Sequence, residues 1–102
     1  MNCMAKQQIQ LQFEKIITNL AGNRFGRDTY IAQVKGKIDI EEKNIIEIPE
    51  IIEDVASSFV QGIYRELSEQ YGKERALEIM ELHSVRPEVM EKIEYAIRVY
   101  GI

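Results

Sequence analysis

The sequence predicts a small α/β sandwich: a mainly parallel sheet of three to four strands packed by about three helices. Three observations carry that expectation. Runs at 8–17 and 44–48 have strand character, apolar positions recur every three or four residues after Ser58 and again after Pro87, and glycine or proline separates the segments. Read in order they give β-α-β-α-β-α, the pattern of a parallel sheet with helical crossovers. The chain has 102 residues, 45% of them hydrophobic and 29% charged, which suits one domain over 1–102 with a single core. Residues 1–7 are expected to be flexible.

The first element is QIQLQFEKII at 8–17, where Ile9, Leu11 and Phe13 alternate with Gln8, Gln10, Gln12 and Glu14. A period of two denotes a half-buried strand; helix competes, since Gln, Leu, Glu and Lys are good helix formers, and the alternation outweighs it. TNLAGNRFGR, at 18–27, holds Gly22, Asn23 and Gly26 and reads as a loop. Asp28 then stands as an N-cap for a helix of about two turns, with Tyr30, Ile31 and Val34 as its stripe and an end near Gly36. After the polar connector DIEEK, the run NIIEI at 44–48 is apolar enough for a strand buried on both faces, and Pro49 ends it. Phe59, Val60, Ile63, Tyr64, Leu67 and Tyr71 mark an amphipathic helix that stops at Gly72. Lys73–Arg75 add a further turn, and residues 77–83 read as a third strand, although ALEIME equally extends a helix. Pro87 opens the last helix, whose stripe is Val89, Met90, Ile93, Ala96, Ile97 and Tyr100, closed by Gly101.

Composition removes several function classes. A formal charge of -4 argues against general nucleic-acid binding. No segment approaches the roughly twenty apolar residues that cross a bilayer, and the first ten residues lack the apolar run of a signal peptide. Cys3 is the only cysteine and has no partner for a disulfide, as expected of an inert thiol in a reducing cytoplasm. One histidine and one cysteine leave only carboxylates for a metal site, so neither metal nor cofactor is expected. Ser57, His83 and Asp54 compose a triad on paper, but nothing resembles a nucleophile elbow and no enzyme is expected.

The candidate site lies between strand and helix. Ser57 and Ser58 stand in the first turn of the long helix, beside amides that have no intrahelical acceptor. Ser58-x-x-Gln61 fits a capping box, so a purely structural cap accounts for it; Ser57 is the better regulatory candidate. The preceding acidic stretch is either a solvated loop or a partner surface of Ile51, Ile52, Glu53, Asp54, Val55 and Phe59, with Ile51, Ile52 and Val55 as apolar anchors. Arg24 and Arg27, flanking Phe25 and Gly26, are either an anion site or solvated ion pairs.

NRFGRDTY (Asn23–Tyr30), NIIEI, the helix opening SSF (Ser57–Phe59) and PEV (Pro87–Val89) together resemble the STAS-like domains of unknown function, small relatives of anti-sigma-factor antagonists. The resemblance covers about residues 9–100, with SSF its most specific part. It implies a STAS-like fold and a non-catalytic regulatory role, in which a partner serine kinase phosphorylates a hydroxyl at the start of a helix and thereby switches binding. Ser57 matches that hydroxyl, with Ser58 beside it. This chain has Ala56 where the antagonists have Asp, and Phe59 where they have Gly. The expected function is therefore a signalling interaction domain that binds a kinase-like ATPase or similar regulator. The alternatives are a nucleotide-sensing module or a small protein inhibitor of a mobile-element or defence enzyme.

Overall fold

The computed structural model describes residues 6–102. Its elements run β1 (Lys6–Gln10), β2 (Asn19–Leu20), α1 (Asn23–Thr29), β3 (Lys43–Glu47), β4 (Asp54–Val55), α2 (Ser57–Tyr71), α3 (Lys73–Ile79), β5 (Met80–His83) and α4 (Pro87–Tyr95). A π-helical turn prolongs α1 over Tyr30–Val34, and another prolongs α4 over Ala96–Tyr100. The α/β architecture expected from the sequence is present. Lys6 and Gln7 belong to β1, so the flexible segment expected over 1–7 does not include them. Its remaining residues, Cys3 among them, lie outside the described part.

The main sheet is parallel throughout, in the order β1-β3-β5, and its register aligns Ile9 with Ile46 and Ile46 with Leu82. Neighbouring strands in this sheet are also successive in the chain. Right-handed crossovers in a constant direction put their helices on a single face. That face carries Ile9, Asn44, Ile46, Met80 and Leu82, all buried. The opposite face shows Gln8, Gln10, Ile45, Glu47, Glu81 and His83, none of them buried. The expectation that 44–48 is buried on both faces is thus corrected: Ile45 is only half-buried, because no crossover passes over its side of the sheet.

β2 and β4 form a separate parallel pair, Asn19 beside Asp54 and Leu20 beside Val55. At two residues each they are too short to show a period. They nevertheless fix the approach to α1 and α2, since the Glu53 N–H donates to Thr18 O at 2.7 Å and the Ala56 N–H to Leu20 O at 2.8 Å.

α1 begins at Asn23 with Gly22 as its cap (φ 105°), which overturns the loop expected over 18–27 and the N-cap expected at Asp28. Gly26 is a packing residue. A Cβ there would come within 2.3 Å of Phe59 O, and one at Gly62 within 2.0 Å of Asn23 O. Two glycines, one on each helix, let the backbones of α1 and α2 approach where side chains would hold them apart.

α2 follows its periodicity from Phe59 to Leu67, burying Phe59, Val60, Ile63, Tyr64 and Leu67, whereas Tyr71, expected in the same stripe, is exposed at the helix end. Gly72 (φ 88°) ends it in a conformation that L side chains rarely adopt. The strand expected over 77–83 is shorter: Leu77 to Ile79 complete α3 and pairing starts at Met80. Two polar side chains seal the buried layer. The Tyr64 hydroxyl donates to Met80 O at 2.7 Å. Asn44 Nδ2 donates to Ile79 O at 2.9 Å and Asp39 O at 2.8 Å, while its Oδ1 accepts from the Asp39 N–H and Gln7 Nε2.

Candidate functional site

Ala56, in extended conformation (φ −80°, ψ 154°), turns the chain from β4 into α2. Its carbonyl accepts from the N–H groups of Phe59 at 3.1 Å and Val60 at 3.2 Å. Ser57 is therefore the first helical residue and Ser58 the second. Their roles separate at once. Ser58 Oγ accepts a hydrogen bond from the Gly22 N–H at 2.9 Å and so fastens the cap of α1 to the start of α2. It makes no capping box, because its oxygen is turned toward the neighbouring helix. Ser57 is half-buried, and its hydroxyl has no hydrogen bond to another described residue.

Ser57 lines a groove of about 610 Å³ formed by β4, the start of α2 and the last helix. Asp54, Val55 and Ala56 supply one wall; Lys92, Tyr95 and Arg98 belong to the other, with Tyr100 at its end. The Lys92 ammonium closes on the Asp54 carboxylate and ties α4 to β4. The Arg98 guanidinium lies 5.8 Å from the centre of the Tyr95 ring, and Tyr100 meets that ring edge-on at 6.1 Å. The groove thus joins a hydroxyl without a partner among the described residues, the start of a helix, two cations, three carboxylates and two exposed phenols. Such a lining suits recognition of a mixed polar and aromatic surface.

The residues expected from the sequence divide sharply. Ile52, Val55 and Phe59 are core, at 0%, 2% and 0% exposure, and their side chains have no access to a partner. Ile51 is 45% exposed, Glu53 is exposed and Asp54 is half-exposed in its ion pair. Phe59 instead packs edge-on against Phe25, which meets Phe13 in turn. Arg24 and Arg27 stand in solvent on α1, Arg24 with Asp28 at 4.0 Å, and neither lines the groove. His83 lies on the open sheet face, its Nδ1 2.8 Å from Glu47 Oε1, and Asp54 is paired with Lys92, so two members of the paper triad have other partners.

Sequence reasoning missed the far wall. Tyr100, expected in the core stripe of the last helix, is 59% exposed, and Tyr95 is 49% exposed. Tyr95, which falls off the apolar stripe and shares a helix face with Glu91 and Arg98, was the available signal. Among the described residues no cluster of three or more His, Cys, Asp or Glu side chains is placed to hold a metal ion. No helix of the described residues is long and apolar enough to cross a membrane.

Fold and site together define a small α/β protein with a one-sided parallel sheet and a serine-bearing groove at a helix start. No family model, curated protein or solved structure matches this chain. The likeness to STAS-like domains rests on the residues quoted above.

Proposed function

We propose that this chain is a non-catalytic regulatory interaction domain of STAS-like type. It binds a signalling partner, a kinase-like ATPase or similar regulator, through the groove at the start of α2, and phosphorylation of Ser57 switches that binding. The lone Cys3 suits a reducing cytoplasm for such a role. One observation carries the reading: of the two adjacent serines, Ser58 is committed to the Gly22 amide, whereas Ser57 presents a free hydroxyl in the groove.

The electrostatics favour a switch over a permanent contact. A phosphate on Ser57 adds about two negative charges beside amides at the positive end of a fifteen-residue helix, where an anion is stabilised. It also competes with Asp54 for Lys92 and meets repulsion from Glu91 and Glu94 in the same groove. The modified groove therefore presents a different surface on an unchanged scaffold.

The test is affinity capture from the native host with wild type, Ser57→Ala and Ser57→Asp, read by mass spectrometry with phosphosite mapping. An ATPase or kinase captured in one serine state and lost in the other supports the switch. Identical partners for all three, with no phosphate on Ser57, overturn it.

A further inference from the structure

At the carboxyl end of the main sheet, each of the three strands runs into a loop with an exposed β-branched aliphatic residue at its apex. After β1, the Ile17 N–H donates to Glu14 O at 2.9 Å and closes a turn with Ile16 at its tip, 87% exposed. After β3, the Ile52 N–H donates to Pro49 O at 3.0 Å and closes the same kind of turn around Ile51, 45% exposed. After β5, the Arg86 N–H donates to Ser84 Oγ at 3.1 Å and throws out Val85, 63% exposed.

Turn tips ordinarily take Gly, Asn, Asp, Pro or Ser, which supply the required backbone angles or local hydrogen bonds. Isoleucine and valine supply neither. One such residue is commonplace on a protein surface, whereas three on loops that adjoin one another gather apolar surface at one end of the sheet. The loops are also tied together: the Glu53 N–H bonds Thr18 O between the first two, and Arg86 Nε bonds Glu50 O between the last two. The tip is held in shape before anything binds, which limits the ordering cost of association.

We infer that this tip is a docking surface for a protein partner whose contact face is apolar at its centre and basic around it. The charge around the patch selects that occupant. Glu14, Glu50 and Glu53 are exposed beside the aliphatic tips, and among the described residues of these loops two cations oppose them, Lys15 and Arg86, the latter shared with the Glu88 carboxylate. A second copy would set these carboxylates against their equivalents, and an anionic membrane would repel them. The surface does not depend on the state of Ser57, so its test stands apart from the switch. Ile51 and Ser57 are nonetheless six residues apart, at most about 20 Å of extended chain, so one partner can reach both.

A displayed library of random peptides, selected on the wild-type chain alone and then measured against the Ile16→Ser/Ile51→Ser/Val85→Ser variant, decides the matter. The expected winners combine clustered aliphatic or aromatic residues with Lys or Arg, and bind the triple variant at least about tenfold more weakly. Ile16→Ser alone, at the most exposed site, weakens them in part and leaves the circular dichroism spectrum unchanged. Winners that bind the triple variant equally well, or that are acidic, overturn the inference. So does a wild-type dimer in sedimentation that the triple variant does not form. Flotation of the wild type, but not the variant, with phosphatidylserine vesicles assigns the tip to membranes and overturns it too.

Discussion

Asn44 does at residue scale what no apolar side chain could do at its position. It is fully buried at the amino end of the central strand, and its amide serves the Asp39–Glu42 loop, β1 and the end of α3 together. Asn44→Leu removes that amide and leaves the buried Ile79 carbonyl and the part-buried groups of Asp39 and Glu42 without it; a loss of about 2–3 kcal/mol is expected in urea denaturation. Tyr64 makes a different prediction. Burial first, and then the Glu81 carboxylate, push its phenol well above the ordinary value of 10.0. The unfolded chain ionises its tyrosine near that value while the folded chain still holds the proton. Stability is therefore fully present below about pH 10 and declines as pH rises beyond it. Tyr64→Phe lowers stability at pH 7 by about 1 kcal/mol and flattens the alkaline decline, measured as the denaturation midpoint from pH 8 to 11. The adjacent serines separate by the same logic. Ser58→Ala loses its bond to the Gly22 amide and about 1 kcal/mol, whereas Ser57→Ala changes stability by less than about 0.5 kcal/mol.

At the scale of elements, the crossing of α1 and α2 reverses a rule of helix propensity. Alanine in place of glycine within a helix ordinarily stabilises it by about 1 kcal/mol. Here a Cβ at Gly62 would sit 2.0 Å from the Asn23 carbonyl oxygen, and one at Gly26 2.3 Å from that of Phe59. Backbone cannot step aside as a flexible side chain can, so the helices must separate. Gly26→Ala and Gly62→Ala are each expected to cost about 1–3 kcal/mol, checked by thermal unfolding, and a gain in either would refute the close crossing. The same contact explains what the sequence concealed. Glycine read along a chain is punctuation, and only the partner helix reveals it as an accommodation, so the sequence of α1 reads as a loop. α2 and α4 were legible because four turns of periodic burial leave a long signal, and Pro87 and Gly101 mark the ends of the last helix. β5 starts three residues later than the pattern predicts, because ALEI satisfies helix and strand patterns alike. Of the site, Ser57 was legible from its place after a strand. Its opposite wall was not, since Lys92, Tyr95 and Arg98 come from an element more than thirty positions away.

Across the whole molecule, the order β1-β3-β5 dictates an asymmetric protein. With successive strands as neighbours, the crossovers advance in one direction and the helices gather on one face, leaving the other without a layer among the described residues. Parallel sheets are ordinarily covered on both faces, and their strands then read as continuous apolar runs. NIIEI imitates such a run, because Ile46 and Ile48 point into the core while Ile45 lies between half-exposed polar neighbours. Two adjacent isoleucines on one strand therefore test the topology of the entire chain. Ile46→Ala empties a site of 0% exposure and should cost about 2–5 kcal/mol. Ile45→Ala removes the same atoms from a face that keeps contact with water, and should cost about 1 kcal/mol or less. Denaturation at two protein concentrations gives the experiment its second axis. Equal costs that do not change with concentration would mean that the chain's own residues cover the open face. Equal costs only at high concentration would mean that another copy covers it, and the cost at Ile45 would then fall on dilution as the copies part.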